Sequence, residues 1–142
     1  MKAALSRLPR ATILVVDDNL VIQRALEIML RDNGYAALVS GEITEALKKV
    51  REERPDAVLL DINFPPKPSA RGVYDGYWAL EWLQRMDETK ELPVIIISGG
   101  DAVRNRPRAL DAGAADYLAK PIGKADLLSA LDRVLPHKAF GP

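Results

Sequence analysis

Thr12-Ile-Leu-Val-Val-Asp-Asp-Asn19 is the stretch on which the fold turns. Five residues without a charge, four of them β-branched, fit a strand covered on both faces, the pattern of a parallel sheet rather than of a half-exposed one. The run stops abruptly at two acids and an asparagine. Beyond them Ile22, Ala25, Leu26 and Met29 recur at helical spacing, with Asn19 placed to cap the helix and Gly34 to end it. The unit is strand, acidic turn, helix.

The same alternation continues outward. Strands are predicted at Tyr35–Val39, Ala57–Asp61, Val94–Ser98 and Asp116–Ala119, and helices at Glu42–Glu53, Gly76–Asp87, Arg106–Ala112 and Lys124–Leu135. The fourth helix is expected to start late, with Pro107 in its first turn. Five strands alternating with five helices define an α/β class: a five-stranded parallel sheet with helices on both faces, joined by right-handed crossovers.

Bulk properties narrow the function. With 142 residues, 48% of them hydrophobic, the chain can bury one core. Twenty basic residues balance twenty acidic ones, which argues against direct binding of nucleic acid or of an anionic membrane. Cysteine is absent, so disulfides and thiolate chemistry are excluded. No apolar run approaches the roughly 20 residues of a membrane span, and Met1–Arg10 lacks the apolar centre of a secretion signal. A cytoplasmic protein without membrane insertion is expected. Residues 1–10 are expected to be flexible, residues 11–136 to form the domain, and residues 137–142 to be a tail in which His137, the single histidine, is solvated.

In a sheet of this kind, functional groups collect where the strands end. Asp17 and Asp18 follow the first strand, Asp61 ends the third, Ser98 ends the fourth, and Lys120-Pro121 follow the fifth. Each feature alone is commonplace, an N-cap turn or a solvated lysine; their joint arrival at one edge is not. Crowded carboxylates repel unless a base or a hard cation intervenes, and Mg²⁺ suits an oxygen-only partial cage that leaves positions for phosphate. Asp61 could then attack phosphorus in line, with Lys120 supplying positive charge and Ser98 a hydroxyl donor.

These residues resemble a known family. Ile13–Asn19, Val58–Pro65, Ile95–Gly99 and Ala112–Pro121 are similar to the motifs of the response regulator receiver domain, and the likeness runs from about Ala11 to Leu135. It implies the (βα)5 flavodoxin-like receiver fold of two-component phosphorelays. It further implies Asp61 as phosphoacceptor, direct Mg²⁺ binding by Asp18 and Asp61, and Asp17 acting largely through a metal-bound water. Asn63 would lend its backbone carbonyl to the metal while its side chain faces the phosphoryl group. Ser98 would swing toward a phosphoryl oxygen, Lys120 would pair with it, and Pro121 would follow a cis bond. Tyr117 matches the switch aromatic; an ordinary aromatic packed on an edge strand is the competing reading. The implied partners are a sensor histidine kinase or phosphotransfer protein and a downstream protein target, with the chain a monomer or weak dimer.

Two departures stand out. The segment Pro65–Tyr74 lengthens the loop after Asp61, and its three prolines favour extended backbone. It either shields Asp61 or contacts a kinase through Lys67 and Arg71, or it is a tolerated surface insertion. Gly100 lacks a side chain where many members carry one that affects the attacking water, so the phosphoryl lifetime is expected not to be among the shortest.

Three functions compete. A signalling phosphoacceptor, not an enzyme although able to react with small phosphodonors and to lose the group by itself, is favoured by retention of Asp17, Asp18, Asp61 and Lys120. A phosphorylation-independent interaction module would usually have lost one of them. An aspartyl phosphohydrolase would resemble its relatives in carrying an acid at the position of Asn63. No DNA-binding output is expected after Leu135.

Overall fold

The structure, a computed structural model, describes residues 8–63, 67–69 and 72–136, with backbone alone for 67–69 and 72–74. Residues 1–7 of the expected flexible segment, Arg71, the side chain of Lys67, and the tail with His137 lie outside the described residues.

The β-branched runs become strands, as their composition dictates: β1 (Thr12–Val16), β2 (Ala36–Ser40), β3 (Ala57–Asp61), β6 (Val94–Ser98) and β7 (Asp116–Ala119). They form one sheet in the order β2-β1-β3-β6-β7, every neighbouring pair parallel. The helices are α1 (Leu20–Asp32), α2 (Ile43–Glu53), α3 (Gly76–Arg85), α4 (Ala102–Asp111) and α5 (Lys124–Val134).

Alternate residues of each strand feed two cores. Ile13, Val15, Leu59, Ile95 and Ile97 pack with Leu26 and Leu30 of α1 and Leu127 and Leu131 of α5. Leu14, Val16, Val58, Leu60 and Ile96 pack with α2, α3 and α4 through Leu47, Val50, Leu80, Leu83 and Ala109. Covering both faces is what allows the strands to be apolar throughout. The chain passes from β1 outward to β2 and returns to β3 on the other side, so β1 and β3 flank the point where the strand order reverses.

Several boundaries differ from expectation, most of them by a single residue. β2 begins one residue late, because Tyr35 N–H bonds to Leu30 O and closes the turn after α1. α3 ends at Arg85, two residues early. The larger correction concerns α4, which starts at Ala102 with Pro107 in its interior rather than in its first turn. Asp101 explains the early start: its side chain accepts from Val103 N at 3.0 Å, satisfying an orphan donor of the first turn. That local cap prevails over the hydrogen bond Pro107 cannot donate to the Val103 carbonyl.

Between β3 and α3, the long loop contains a short antiparallel hairpin not foreseen from the sequence, β4 (Lys67–Ser69) with β5 (Gly72–Tyr74). The proline-rich chain is extended there, as the restricted φ of proline favours.

Candidate functional site

The strand register decides what meets. Val16 pairs with Leu60, Asp61 with Ile97, and Ser98 with Ala119. Asp17, Asp61, Ser98 and Lys120 are therefore at, or one residue beyond, the carboxyl ends of adjacent strands.

Asp17 is fully buried, yet its surroundings fix it. Its backbone N–H donates to Ser40 O (3.0 Å), its Oδ1 accepts from Asn19 N (2.9 Å), and its carbonyl accepts from Gln23 Nε2 (3.1 Å). Asn19 thus orients the acid through its backbone while its side chain caps α1, accepting from Val21 N and Ile22 N. Gln23, one turn into α1, was not singled out from the sequence; its place one turn after the cap is the available signal.

Asp61 is 3% exposed, and its Oδ1 accepts from Asn63 N at 2.9 Å. Its backbone is clamped by α3. A Cβ on Gly76 would come within 2.9 Å of Asp61 O and of Ile62 Cα, so only glycine lets the helix approach this closely. Asp75 caps the same helix by accepting from Trp78 N at 2.8 Å.

Lys120 joins the two buried acids. Nζ lies 2.8 Å from Asp17 Oδ2 and 3.3 Å from Asp61 Oδ2. The first contact is an ion pair rather than a well-directed hydrogen bond, since Asp17 Oδ2 has no hydrogen-bond partner of good geometry. The Lys120–Pro121 bond is cis, as the resemblance implied, and Lys120 N donates to Ser98 O at 2.7 Å. Burial raises the Asp61 pKa, and the nearby Asp17 charge adds to this; the Asn63 N–H and the Lys120 charge oppose it but do not cancel it. Burial alone would depress Lys120, but the close approach of Asp17 and the charges of Asp61 and Asp17 outweigh it and hold the ammonium above its ordinary value.

Exposed Asp18 completes the group: one carboxylate oxygen from each of Asp17, Asp18 and Asp61 lies within 4.8 Å of the others. Among the described residues one ammonium faces three carboxylates, and a buried oxygen of Asp17 lacks a directed donor. The donor set is hard and all oxygen. These features fit a divalent cation of the Mg²⁺ type.

Ser98 is fully buried. Its Oγ accepts from Asn63 Nδ2 (3.1 Å) and from Gly100 N (3.2 Å). Tyr117 lies on the edge strand β7 with its ring packed in the α2–α4 core and its hydroxyl buried. The structure thus brings together Asp17, Asp18, Asp61, Lys120 and Ser98, with Asn63 touching two of them; Tyr117 stands apart from the carboxylates.

A doubly wound sheet bearing three carboxylates, a half-buried lysine and a hydroxyl at its switch point defines an α/β module with a polar, acidic corner at the carboxyl ends of its strands. The chain belongs to the response regulator receiver domain family, whose model matches residues 13–132. Transcriptional regulatory protein PrrA of Mycobacterium tuberculosis is 37% identical over 126 residues, covering 89% of this chain and 50% of PrrA. Response regulator MprA of Mycobacterium leprae is 36% identical over 124 residues, 87% of this chain and 50% of MprA. The chain thus spans about half the length of the curated relatives it matches. Among solved structures, chemotaxis response regulator CheY4 of Vibrio cholerae superposes with a TM-score of 0.76 at 27% identity, covering 88% of this chain and 98% of CheY4. The resemblance and the (βα)5 flavodoxin-like fold read from the sequence both hold.

Proposed function

We propose that this chain, in the cytoplasm, accepts a phosphoryl group on Asp61 from a sensor histidine kinase or phosphotransfer protein, in a Mg²⁺-dependent reaction, and thereby changes its affinity for a downstream protein. The observation that carries the reading is the Asp17–Lys120–Asp61 bridge: a buried carboxylate made more basic by its surroundings, beside a half-buried ammonium that can follow the charge.

In the transfer, an Asp61 carboxylate oxygen bonds to phosphorus as the bond from phosphorus to the donor imidazole nitrogen breaks. The electron pair returns to that nitrogen, which takes up a proton. Asp17, Asp18, Asp61 and the Asn63 carbonyl would hold Mg²⁺, which when bound neutralises charge on the transferred oxygens. Lys120 then gains the phosphoryl group as a partner for its charge. Ser98 supplies a hydroxyl to one of its oxygens. Tyr117, already inward, would hold the aromatic position associated with the switched surface.

The chain is a signalling acceptor rather than a hydrolase. Asn63, two residues after Asp61, carries an amide that cannot serve as a general acid or base near neutral pH, so turnover of a phosphomonoester is not expected.

Incubation with acetyl phosphate and Mg²⁺, read by intact mass, should add one phosphoryl group to the native chain and none to Asp61→Asn. A native chain that folds and takes up no phosphoryl group would overturn the proposal. Because Gly100 offers no side chain to hold an attacking water, the adduct should persist beyond seconds once the donor is removed; loss within seconds would reverse that expectation.

A further inference from the structure

Asn63 does two things at once. Its backbone N–H donates to Asp61 Oδ1 at 2.9 Å, while its side-chain amide donates to Ser98 Oγ at 3.1 Å. Ser98 also accepts from Gly100 N at 3.2 Å. A hydroxyl oxygen has two acceptor positions, and both are taken. The residue is fully buried and its carbonyl is held by Lys120 N at 2.7 Å, so the backbone is not free to follow a turning side chain. Ser98 is thereby fastened in one orientation from two sides. Of the two fastenings, Gly100 N belongs to the turn that follows β6, whereas Asn63 is an exposed side chain at the end of the neighbouring strand.

From this geometry we infer that Asn63 is a latch on Ser98: a positioning residue that holds the hydroxyl in the unmodified arrangement and releases it when Asp61 becomes an acyl phosphate. The inference rests on the phosphoacceptor reading of Asp61 given above. Release follows from exchange of partners. The Asn63 amide and the Ser98 hydroxyl share one neutral hydrogen bond before modification. Afterwards each can donate separately to an anionic phosphoryl oxygen, and such charge-assisted bonds are roughly twice as strong as neutral ones. The latch thus sets how far the unmodified chain is from the switched arrangement, and a ligand that favours the switched form must first open it.

The sequence alone did not reveal this. Asn63 and Ser98 are 35 residues apart in the chain and meet because β3 and β6 are neighbours in register. The other donor comes from the turn after β6: a Cβ on Gly100 would come within 2.7 Å of Asn105 Nδ2, the far end of a side chain that can turn aside, so the N–H donated to Ser98 does not depend on glycine.

A double-mutant cycle tests the latch with beryllium trifluoride as phosphoryl mimic and Mg²⁺ present. Affinities are measured for the native chain, Asn63→Ala, Ser98→Ala and the double variant. Any direct contact of Asn63 with the mimic contributes in both serine and alanine backgrounds and cancels in the comparison. The latch predicts that Asn63→Ala improves binding about fivefold more in the chain that keeps Ser98 than in the Ser98→Ala chain, the worth of one neutral hydrogen bond. A ratio of one, or a ratio of the opposite sense, would overturn it.

A second measurement needs no ligand. Side-chain coupling constants of Ser98 should report a single χ1 rotamer in the native chain and a mixture of rotamers in Asn63→Ala. A single rotamer in both overturns the latch. Failure of the native chain to bind the mimic, with the rotamer result as expected, would instead count against the phosphoacceptor reading and leave the latch standing as a structural fact.

Discussion

Two buried aspartates lie at opposite ends of the sheet and meet opposite fates. Asp61 ends β3 and is 3% exposed; Asp116 begins β7 and is 5% exposed. Asp61 shares one ammonium with Asp17. Asp116 has two guanidiniums to itself, Arg133 in close contact with its Oδ2 and Arg106 at 3.4 Å from its Oδ1, while Tyr117 N donates to the same Oδ1 at 2.8 Å. Burial pushes both acids up. For Asp116 the Arg133 bond, the Tyr117 N–H and the two positive charges reverse that push and hold the carboxyl below its ordinary range, whereas Asp61 stays above it. Burial alone does not mark a reactive carboxylate. The balance of charge around it does: an acid with surplus cations is a structural tie, and an acid short of them retains basicity and a demand for more positive charge.

The comparison predicts opposite signs for the same substitution. Asp116→Asn should lower stability to urea at pH 7 by about 2 kcal/mol, the cost of losing charge-assisted bonds to partners that are themselves half-exposed, and should leave phosphoryl uptake unchanged. Asp61→Asn should raise stability by about 1 kcal/mol, since it removes a desolvated, poorly compensated charge, while abolishing uptake. The pH dependence follows the same division. The folded-state pKa of Asp116 is lowered, so its contribution is present above the ordinary carboxylate pKa and is lost as pH falls through the folded value. For Asp61 the folded-state pKa is raised, so folding is favoured below that value and the penalty grows as pH rises through it. Acid unfolding should therefore be less steep in Asp116→Asn than in the native chain. Equal stabilities for the two variants would dissolve the distinction.

The two clusters were not equally legible in the sequence. Asp17, Asp61, Ser98 and Lys120 could be placed together because each follows an apolar run, and parallel strands bring such ends to one edge. Asp116 could be placed at a strand start, but its partners Arg106 and Arg133 come from α4 and α5, whose angular positions around the helix axes a period alone does not set. The helix carrying Arg106 also starts earlier than a first-turn Pro107 requires, because Asp101, five residues before Arg106, caps it. The β4–β5 hairpin escaped notice because three prolines signal extended chain without saying what it pairs with. Asn63 was legible as a position, while its bond to Ser98 was not, for it depends on two side-chain rotamers across neighbouring strand ends.

Tyr117 links the two regions and provides the smallest test. It follows Asp116 directly, and its strand leads to Lys120. Its ring is 3% exposed and its hydroxyl is buried without a hydrogen-bond partner among the described residues. A hydroxyl removed from water and left unsatisfied opposes folding, whereas the ring stabilises by burial. Tyr117→Phe keeps the ring and removes the unmet group, so the variant should be more stable than the native chain by up to about 1 kcal/mol in urea unfolding, with phosphoryl uptake from acetyl phosphate unaltered. A loss of stability would mean that the hydroxyl has a partner in solution. The tie at Asp116 and the reactive corner at Asp61 would then be joined by a polar contact through Tyr117, in place of the apolar packing that now separates them.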